Sequence, residues 1–333
     1  MRHVRIWIGL AVSVLCLVLL LVRVDRQELL DALREVRPEW LAPALLLLAA
    51  ALWVRAARWA VILRPVRPIN TRDAASLLVI GYAANNVLPT RAGEVVRSIL
   101  FQRRHGGSAV TALATIVVER VFDGAVLAVF LAGALAGGTS SGSLRALALL
   151  AGAGFALLLL GLAALSVWPR PMGALIDRVL ALAPGGLRGR LESLTARFLD
   201  GLVLVRGLGT WTLILALTAV SWILEAGCYW MVGEAFDLGL APWAYLGICA
   251  AANLAIAAPS TAGGIGPYEF FACEVAVALG VASALATAYA LMLHAVVLLP
   301  VVLAGVAFLW REQLGLRTLT TTELPPEPAR SAQ

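Results

Sequence analysis

Long apolar runs separated by short polar segments dominate this chain of 333 residues. A hydrocarbon core about 30 Å thick needs about 20 residues of helix to cross it. Six runs approach or exceed that length and are predicted to be full spans: Ile6–Val22, Trp40–Leu63, Ala109–Ala136, Leu144–Trp168, Trp211–Val232 and Ala284–Trp310. The pattern therefore predicts an all-α polytopic membrane protein.

Two further apolar segments, Ala74–Phe101 and Trp243–Gly280, are interrupted by proline and glycine. The helix-breaking residues are Pro89 and Gly93 in the first segment and Pro259, Gly263, Gly264 and Gly266 in the second. Broken backbone is tolerated at membrane depth only where it is packed in protein or lines a wet cavity. We interpret each segment as a re-entrant hairpin of two short helices.

The two breaks share the pattern Pro-[Thr/Ser]-x-Ala-Gly, and an asparagine precedes each of them (Asn85 and Asn253). Each half of the chain reads as span, amphipathic or polar linker, span, broken hairpin, span. Because three full spans precede the second half, that half starts on the opposite side of the membrane. This predicts an inverted-topology repeat, in which paired broken segments point to a transport site. We expect one transmembrane domain over 1–312, with halves of about 1–136 and 144–312.

The arginines set the expected orientation, since all 26 basic residues are arginines and most of them flank apolar runs. The positive-inside rule places both termini and the polar segment Pro169–Gly209 in the cytoplasm. The amphipathic segment Arg23–Glu39, predicted to lie on the membrane surface, falls outside with four arginines and disagrees with that rule. The polar, proline-rich tail 313–333 is predicted to be disordered and cytoplasmic.

The composition excludes several classes of function. The absence of lysine removes a P-loop lysine and a Schiff-base lysine. The net charge of +6 comes from arginines placed beside lipid headgroups, so no nucleic-acid partner is expected. Four isolated cysteines and three scattered histidines indicate neither a disulfide framework nor a metal site, and no cofactor is expected.

Three charged residues, Glu119, Arg120 and Asp123, lie within a predicted span. Glu119 and Asp123 are one helical turn apart, and Arg120 points about 100° away from them. Because a charge facing lipid is costly, these side chains must face the bundle interior or a cavity. Two interpretations stay open: a structural ion-pair network with charges of the first hairpin, or a polar cleft through which a charged headgroup moves.

The first break is followed at helical spacing by Arg91, Glu94 and Arg97, which share one face if a half-helix begins near Arg91. The planar fork of arginine suits a phosphate, and a helix N-terminus favours an anion. An interfacial helix that contacts cytoplasmic headgroups is the alternative. Glu269 follows the second break in a similar way, and it either caps the half-helix or lines a cavity.

Other polar residues lie inside predicted spans. Arg55 and Arg58, near the end of one span, are expected to snorkel to headgroups. His294 is expected to be hydrogen-bonded packing rather than a proton relay. Glu225 and Glu274 are assigned no role.

Three polar motifs occur in order along the chain. They are Asn85-Asn86-Val87-Leu88-Pro89-x-Arg91-Ala92-Gly93-Glu94-x-x-Arg97, Glu119-Arg120-x-x-Asp123 and Pro259-x-x-x-Gly263-Gly264-x-Gly266-x-x-Glu269. In these motifs the chain resembles the lysylphosphatidylglycerol synthase transmembrane family, which includes the flippase half of the bacterial multiple peptide resistance factor. The resemblance implies lipid translocation across the bacterial inner membrane. Since no aminoacyl-transferase domain follows Arg311, lysyl transfer is not expected.

The leading hypothesis is a lipid flippase or transporter without enzymatic chemistry, in which a phosphate-bearing headgroup passes through a polar cleft. The candidate substrate-binding residues are Asn85, Asn86, Arg91, Glu94, Arg97, Glu119, Arg120, Asp123, Asn253 and Glu269. The expected ligand is an anionic phospholipid or a lipid-linked sugar, and a homodimer or a lipid-modifying enzyme partner stays open. The alternatives are a membrane enzyme and an inert partner subunit in lipid or lipid-linked glycan biosynthesis. No ATP-binding motif is present, so movement is expected to be downhill or coupled to an ion such as a proton.

Overall fold

The structure, a computed structural model, describes residues 2–22, 24–88, 92–135, 142–181, 207–256 and 262–311, together with a few residues between 189 and 199. Within these ranges all regular structure is helical. The predicted positions Pro89, Arg91 and Pro259 and the tail 313–333 lie outside the described residues.

The first half of the chain forms helices that match the predicted order of spans and hairpin. Their bounds are α1 Arg2–Leu21, α2 Arg26–Arg34, α3 Leu41–Leu63, α4 Thr71–Val87, α5 Gly93–His105 and α6 Ala109–Leu135. A 3-10 turn over Pro38–Trp40 leads into α3. Asp25 caps α2 by accepting hydrogen bonds from the backbone N–H groups of Gln27 and Glu28, and α2 buries none of its residues.

The second half follows the same plan. Its described helices are α7 Gly142–Val167, α8 Pro169–Leu180, α9 Leu208–Ala235, α10 Ala244–Ala255, α11 Pro267–Ala278 and α12 Ser283–Arg311. A 3-10 turn over Ala262–Gly264 lies at the break between α10 and α11. Proline at the start of α11 is favoured because its missing N–H is needed by no helical partner there.

Four described helices have the length and apolar composition of a membrane span: Pro38–Leu63, Leu144–Leu165, Leu208–Ala235 and Ser283–Arg311. Two predicted spans differ from these. Helix α1, Arg2–Leu21, contains most of the predicted span Ile6–Val22, and Gly9–Leu21 is its apolar stretch among the residues whose side chains are described. Helix α6 has 27 residues but carries three charges near its middle, so its composition alone does not mark it as a span. The fold is that of a polytopic helical membrane protein.

The two hairpins open on opposite faces of the bundle. The end of α3 and both ends of the first hairpin meet at one face, here called face 1, where Leu63, Ala74 and Phe101 share a core cluster with Leu309 at the end of α12. The start of α3 meets the end of α9 at the other face, face 2, through a hydrogen bond of 2.9 Å from the Arg37 N–H to the Ala235 carbonyl. The second hairpin leaves α9 and returns to α12 at face 2. This confirms the predicted inverted arrangement.

The tips of the two hairpins approach each other in the interior. Gly263, at the break of the second hairpin, has φ +74°, a left-handed conformation that glycine adopts without strain. It lies against α4, since a Cβ atom on Gly263 would be 3.8 Å from the carbonyl oxygen of Asn86. The broken segments therefore meet inside the protein, as the inverted repeat requires.

Candidate functional site

A cavity of about 340 Å³ lies between the two hairpin tips. Its polar wall contains Arg55, Tyr82, Asn85, Asn86, Glu94, Arg120, Asp123, Glu225, Asn253 and His294. The rest of the lining is largely apolar and includes Leu48, Leu52, Leu127, Val297 and Leu298. A pocket of this size, apolar with a few convergent polar groups, is typical of a small-molecule site.

Arg58 of α3 occupies the centre of a buried network next to this cavity. Its Nη1 and Nη2 lie 2.5 Å and 3.2 Å from the two carboxylate oxygens of Asp123. Nη1 also donates to the hydroxyl of Thr218 at 2.8 Å, and Nη2 donates to Glu119 at 3.3 Å. A completely buried guanidinium needs such partners, and the two Nη groups of Arg58 find theirs on α6 and α9, so Arg58 joins α3 to both helices.

Arg97 of α5 lies on the other side of Glu119. Its Nη1 is 2.9 Å from Oε2 of Glu119, and its guanidinium stacks 3.5 Å from the ring centroid of Trp59. Trp59 is fixed in turn by an indole N–H bond of 3.1 Å to Thr115. Arg97 is 2% exposed and is not part of the cavity wall, so the structure places it in the packed network rather than at the cavity.

Arg55 pairs with Glu225 at 2.6 Å, and its guanidinium lies 4.2 Å from the ring of Trp222. Arg55 and Arg58 are 5% and 0% exposed, so the prediction that they snorkel to headgroups was wrong. Carboxylates on α6 and α9 pair with both arginines, so the two guanidinium groups are neutralised inside the protein and do not extend to the membrane surface. The pairing also assigns Glu225, which the sequence left undecided, to the cavity wall.

Arg120 differs from the other three arginines because its contacts are long. It is 4.0 Å from Glu94 and 3.7 Å from Asp123, and it donates to the hydroxyl of Tyr82 at 3.3 Å. Its side chain is 40% exposed in the cavity wall, whereas those of Arg55, Arg58 and Arg97 are at most 6% exposed. Among these four arginines, Arg120 therefore has the guanidinium that is most available to a ligand in the cavity.

The first hairpin tip holds Glu94 in place. Asn85 at the end of α4 accepts a hydrogen bond of 2.6 Å from the Gly93 N–H, and its amide donates to Glu94 at 3.0 Å. A Cβ on Gly93 would overlap the carbonyl oxygen of Gly81, so glycine at both positions lets α4 and α5 cross in contact. Helix α5 begins at Gly93, two residues later than the prediction that placed its start near Arg91.

The second hairpin tip uses its asparagine and glutamate differently. Asn253 donates to the hydroxyl of Tyr229 at 2.9 Å and to Glu225 at 3.3 Å. Glu269 accepts from the Gly266 N–H at 2.7 Å, so the capping interpretation of Glu269 is confirmed. Its other oxygen contacts His294, which lies in the cavity wall.

The structure thus separates the predicted site residues into three groups. Those in the cavity wall are Asn85, Asn86, Glu94, Arg120, Asp123, Asn253 and the helix-break residue Gly263. Those packed beside it are Arg97, Glu119 and Glu269, while Gly264 and Gly266 shape the break. Sequence reasoning missed Arg55, Arg58, Tyr82 and Trp222; the spacing of Arg55 and Arg58 by three residues on one helix face was the available signal.

The family model for the lysylphosphatidylglycerol synthase TM region matches residues 6–305. The chain belongs to this family. The match covers both hairpins and every residue of the cavity wall named above. It confirms the resemblance that the three polar motifs indicated.

Glycosyltransferase AglD of Haloferax volcanii is 32% identical to this chain over 126 residues. The aligned part is 37% of this chain and 20% of that protein, so the chain covers about a fifth of the relative's length. The family match indicates a membrane protein, in agreement with the helices that are long and apolar enough to span a bilayer.

Proposed function

We propose that this protein is a flippase or transporter that moves a phosphate-bearing phospholipid or glycolipid across the bacterial inner membrane, without covalent chemistry. The observation that carries the proposal is the cavity between the two oppositely oriented hairpin tips, with the half-exposed Arg120 in its wall. Broken helices paired in this way mark substrate sites in transporters with inverted repeats.

The charges around the cavity balance when no ligand is bound. Four arginines (Arg55, Arg58, Arg97 and Arg120) lie among four carboxylates (Glu94, Glu119, Asp123 and Glu225). The carboxylate with the longest contact to its arginine is Glu94, 4.0 Å from Arg120. A lipid phosphate that replaces Glu94 at Arg120 gains a bidentate contact, and Glu94 keeps its hydrogen bond to Asn85.

The cavity size and its apolar wall fit a headgroup whose acyl chains stay in the bilayer. A volume of about 340 Å³ is at the small end of ligand pockets, which suits a headgroup and excludes a whole lipid. The leucines and valines that line the cavity together with Arg120 provide the surface along which the first carbons of the chains pass.

The similarity to a glycosyltransferase favours one second candidate: a subunit that binds a lipid-linked sugar for a lipid-modifying enzyme, without moving lipid itself. In that role the cavity binds the same phosphate. The two candidates differ in whether lipid changes leaflet.

Reconstitution into vesicles of phosphatidylethanolamine and phosphatidylglycerol, with a trace of fluorescent phospholipid, tests the proposal. Dithionite reduces the dye in the outer leaflet, so a faster loss of the protected fraction than in protein-free vesicles reports transbilayer movement. Arg120→Ala should abolish that acceleration, and Arg64→Ala, an exposed position at the end of α3, is the matched control. Fluorescence loss equal to that of protein-free vesicles, with the protein folded, would contradict the flippase and leave the subunit role.

A further inference from the structure

A histidine and a carboxylate meet at the tip of the second hairpin. Nδ1 of His294 lies 2.7 Å from Oε1 of Glu269, and Nε2 of the same ring lies 3.1 Å from the carbonyl oxygen of Gly263. His294 and Glu269 are 7% and 4% exposed, yet the His294 ring forms part of the cavity wall. The ring therefore connects a buried carboxylate with the cavity.

The hydrogen-bond partners of this pair determine how many protons it holds. Oε2 of Glu269 accepts from the Gly266 N–H at 2.7 Å, and the Gly263 carbonyl can only accept. A neutral imidazole has one N–H, so beside an ionised Glu269 one of the two ring contacts would place a lone pair against an oxygen. Both contacts are hydrogen bonds only when the pair carries one further proton, on the imidazole or on Oε1 of Glu269.

We infer that the pair of His294 and Glu269 is a proton-binding site that couples lipid movement to a proton gradient. The inference rests on the proposed lipid movement and names the ion that drives it. The proton comes from water in the cavity, binds the pair and returns to water, and no bond to the lipid forms or breaks.

The bound proton holds the second hairpin tip against α12. Gly263 belongs to the cavity wall and lies against Leu298 and Asn86, which place it between α12 and the first hairpin tip. When the pair loses its proton, one of the two contacts of His294 becomes repulsive, which weakens the attachment of the tip to α12. The cavity therefore has two conformations, one favoured by the protonated pair and one by the deprotonated pair. A proton gradient across the membrane shifts the protein from one conformation to the other as the pair binds and releases its proton.

The titratable and charged groups around the pair do not replace this proton. The ring of Tyr268 stacks on His294 with 4.2 Å between centroids, and Cys16 of α1 lies near Glu269. Across the cavity lie Arg55, Tyr82, Glu94, Arg120, Asp123 and Glu225. Asp123 and Glu225 are paired with Arg58 and Arg55, whereas the ion-pair partner that the described residues offer Glu269 is His294.

The variant Glu269→Gln separates the proton from the hydrogen bonds. Its amide oxygen still accepts from the Gly266 N–H, and its amide N–H donates to Nδ1 of a neutral His294. The ring N–H at Nε2 then donates to Gly263, so every contact of the protonated pair persists without a titratable proton. Glu28→Gln, on the exposed face of α2, removes a carboxylate away from the cavity and is the control.

The first experiment measures lipid movement in the dithionite assay with and without an imposed pH gradient, together with a pH-sensitive dye trapped in the vesicles. We expect the gradient to accelerate lipid movement and proton uptake in the wild type and in Glu28→Gln, and both accelerations to be lost in Glu269→Gln and His294→Gln. If the rate of lipid movement by the wild type is the same with and without the pH gradient, proton coupling is wrong, although the proposed flippase activity is not contradicted. If no lipid moves under any condition, the proposed function fails first.

The second experiment tests the proton site without lipid transport. Because the folded pair binds a proton that the unfolded chain gives up as pH rises, the melting temperature in detergent should fall with increasing pH. This fall should be smaller in Glu269→Gln than in the wild type and in Glu28→Gln. If the melting temperatures of all three proteins change with pH by the same amount over the whole range, the proton site is wrong.

Discussion

Arg58 binds both carboxylate oxygens of Asp123, with Nη–Oδ distances of 2.5 Å and 3.2 Å, and both residues are buried. The two residues are 65 positions apart in sequence, on α3 and α6. Asp123 also accepts from the indole N–H of Trp222 on α9 at 3.0 Å. This pair therefore joins three helices that belong to both halves of the repeat.

Arg58→Ala should destabilise the protein strongly, because it leaves Asp123 buried without its main cation and removes one of the two arginines that contact Glu119. Removing one partner of a buried pair costs about 3–5 kcal/mol. Thermal unfolding in detergent, with purified yield, measures the effect. Arg64→Ala, an exposed arginine on the same helix end, should change stability by less than about 0.5 kcal/mol. Equal melting temperatures for both variants would show that the pair is not structural.

The crossing of α4 and α5 depends on Gly93. Gly93→Ala should destabilise the first hairpin, since the new Cβ overlaps the Gly81 carbonyl and the Asn85 amide, and overpacking costs about 1–3 kcal/mol. Gly133→Ala on α6 is the matched control, because no atom lies within 4 Å of its Cβ. Replacing a helical glycine in open space should stabilise by about 0.5–1 kcal/mol. A wild-type melting temperature for Gly93→Ala would show that the helices do not cross in contact.

The hairpins were predictable from sequence because a helix break is a local property. Gly93 and Gly263, together with the prolines Pro89 and Pro259, interrupt apolar runs. Such a break in the helix does not depend on contacts with distant residues. The partners of Arg58 were not predictable in this way. Arg58 lies five residues before the end of α3, so its side chain could reach the headgroups by snorkelling. The sequence around Arg58 does not show that the fold brings Glu119 and Asp123 within hydrogen-bond distance of it. Arg97 likewise has helical spacing with Glu94, but its pairing with Glu119 depends on how α5 packs against α6.

The orientation of the two faces follows from the arginine count and can be measured. If the N-terminus is cytoplasmic, α3 runs from outside to inside, so face 2 is outside and face 1 is inside. A single cysteine at Ala241, exposed before α10, should react with an impermeant maleimide in intact cells. A cysteine at Arg103, exposed near the end of α5, should react only after permeabilisation. The reverse pattern would invert the topology and leave the fold unchanged.

A substitution at Arg120 can distinguish a residue that binds the transported lipid from one that only stabilises the fold. Its contacts of 3.3 Å to 4.0 Å add little to stability, so Arg120→Lys, which keeps the charge, should melt close to the wild type. An ammonium cannot donate two parallel hydrogen bonds to a phosphate. The loss of one charge-assisted hydrogen bond, about 1.4 kcal/mol or more, should slow lipid movement at least about tenfold.

The matched variant is Arg103→Lys, which keeps an exposed charge outside the cavity and should transport lipid at the wild-type rate. Melting temperature and dithionite-assay rate are measured on the same preparations, so a folding defect and a transport defect are separated. Slow transport by a well-folded Arg120→Lys means that the guanidinium geometry contacts the headgroup. Transport at the wild-type rate means that Arg120 provides charge alone, and the phosphate contact must then be sought at Arg55, the other arginine in the cavity wall.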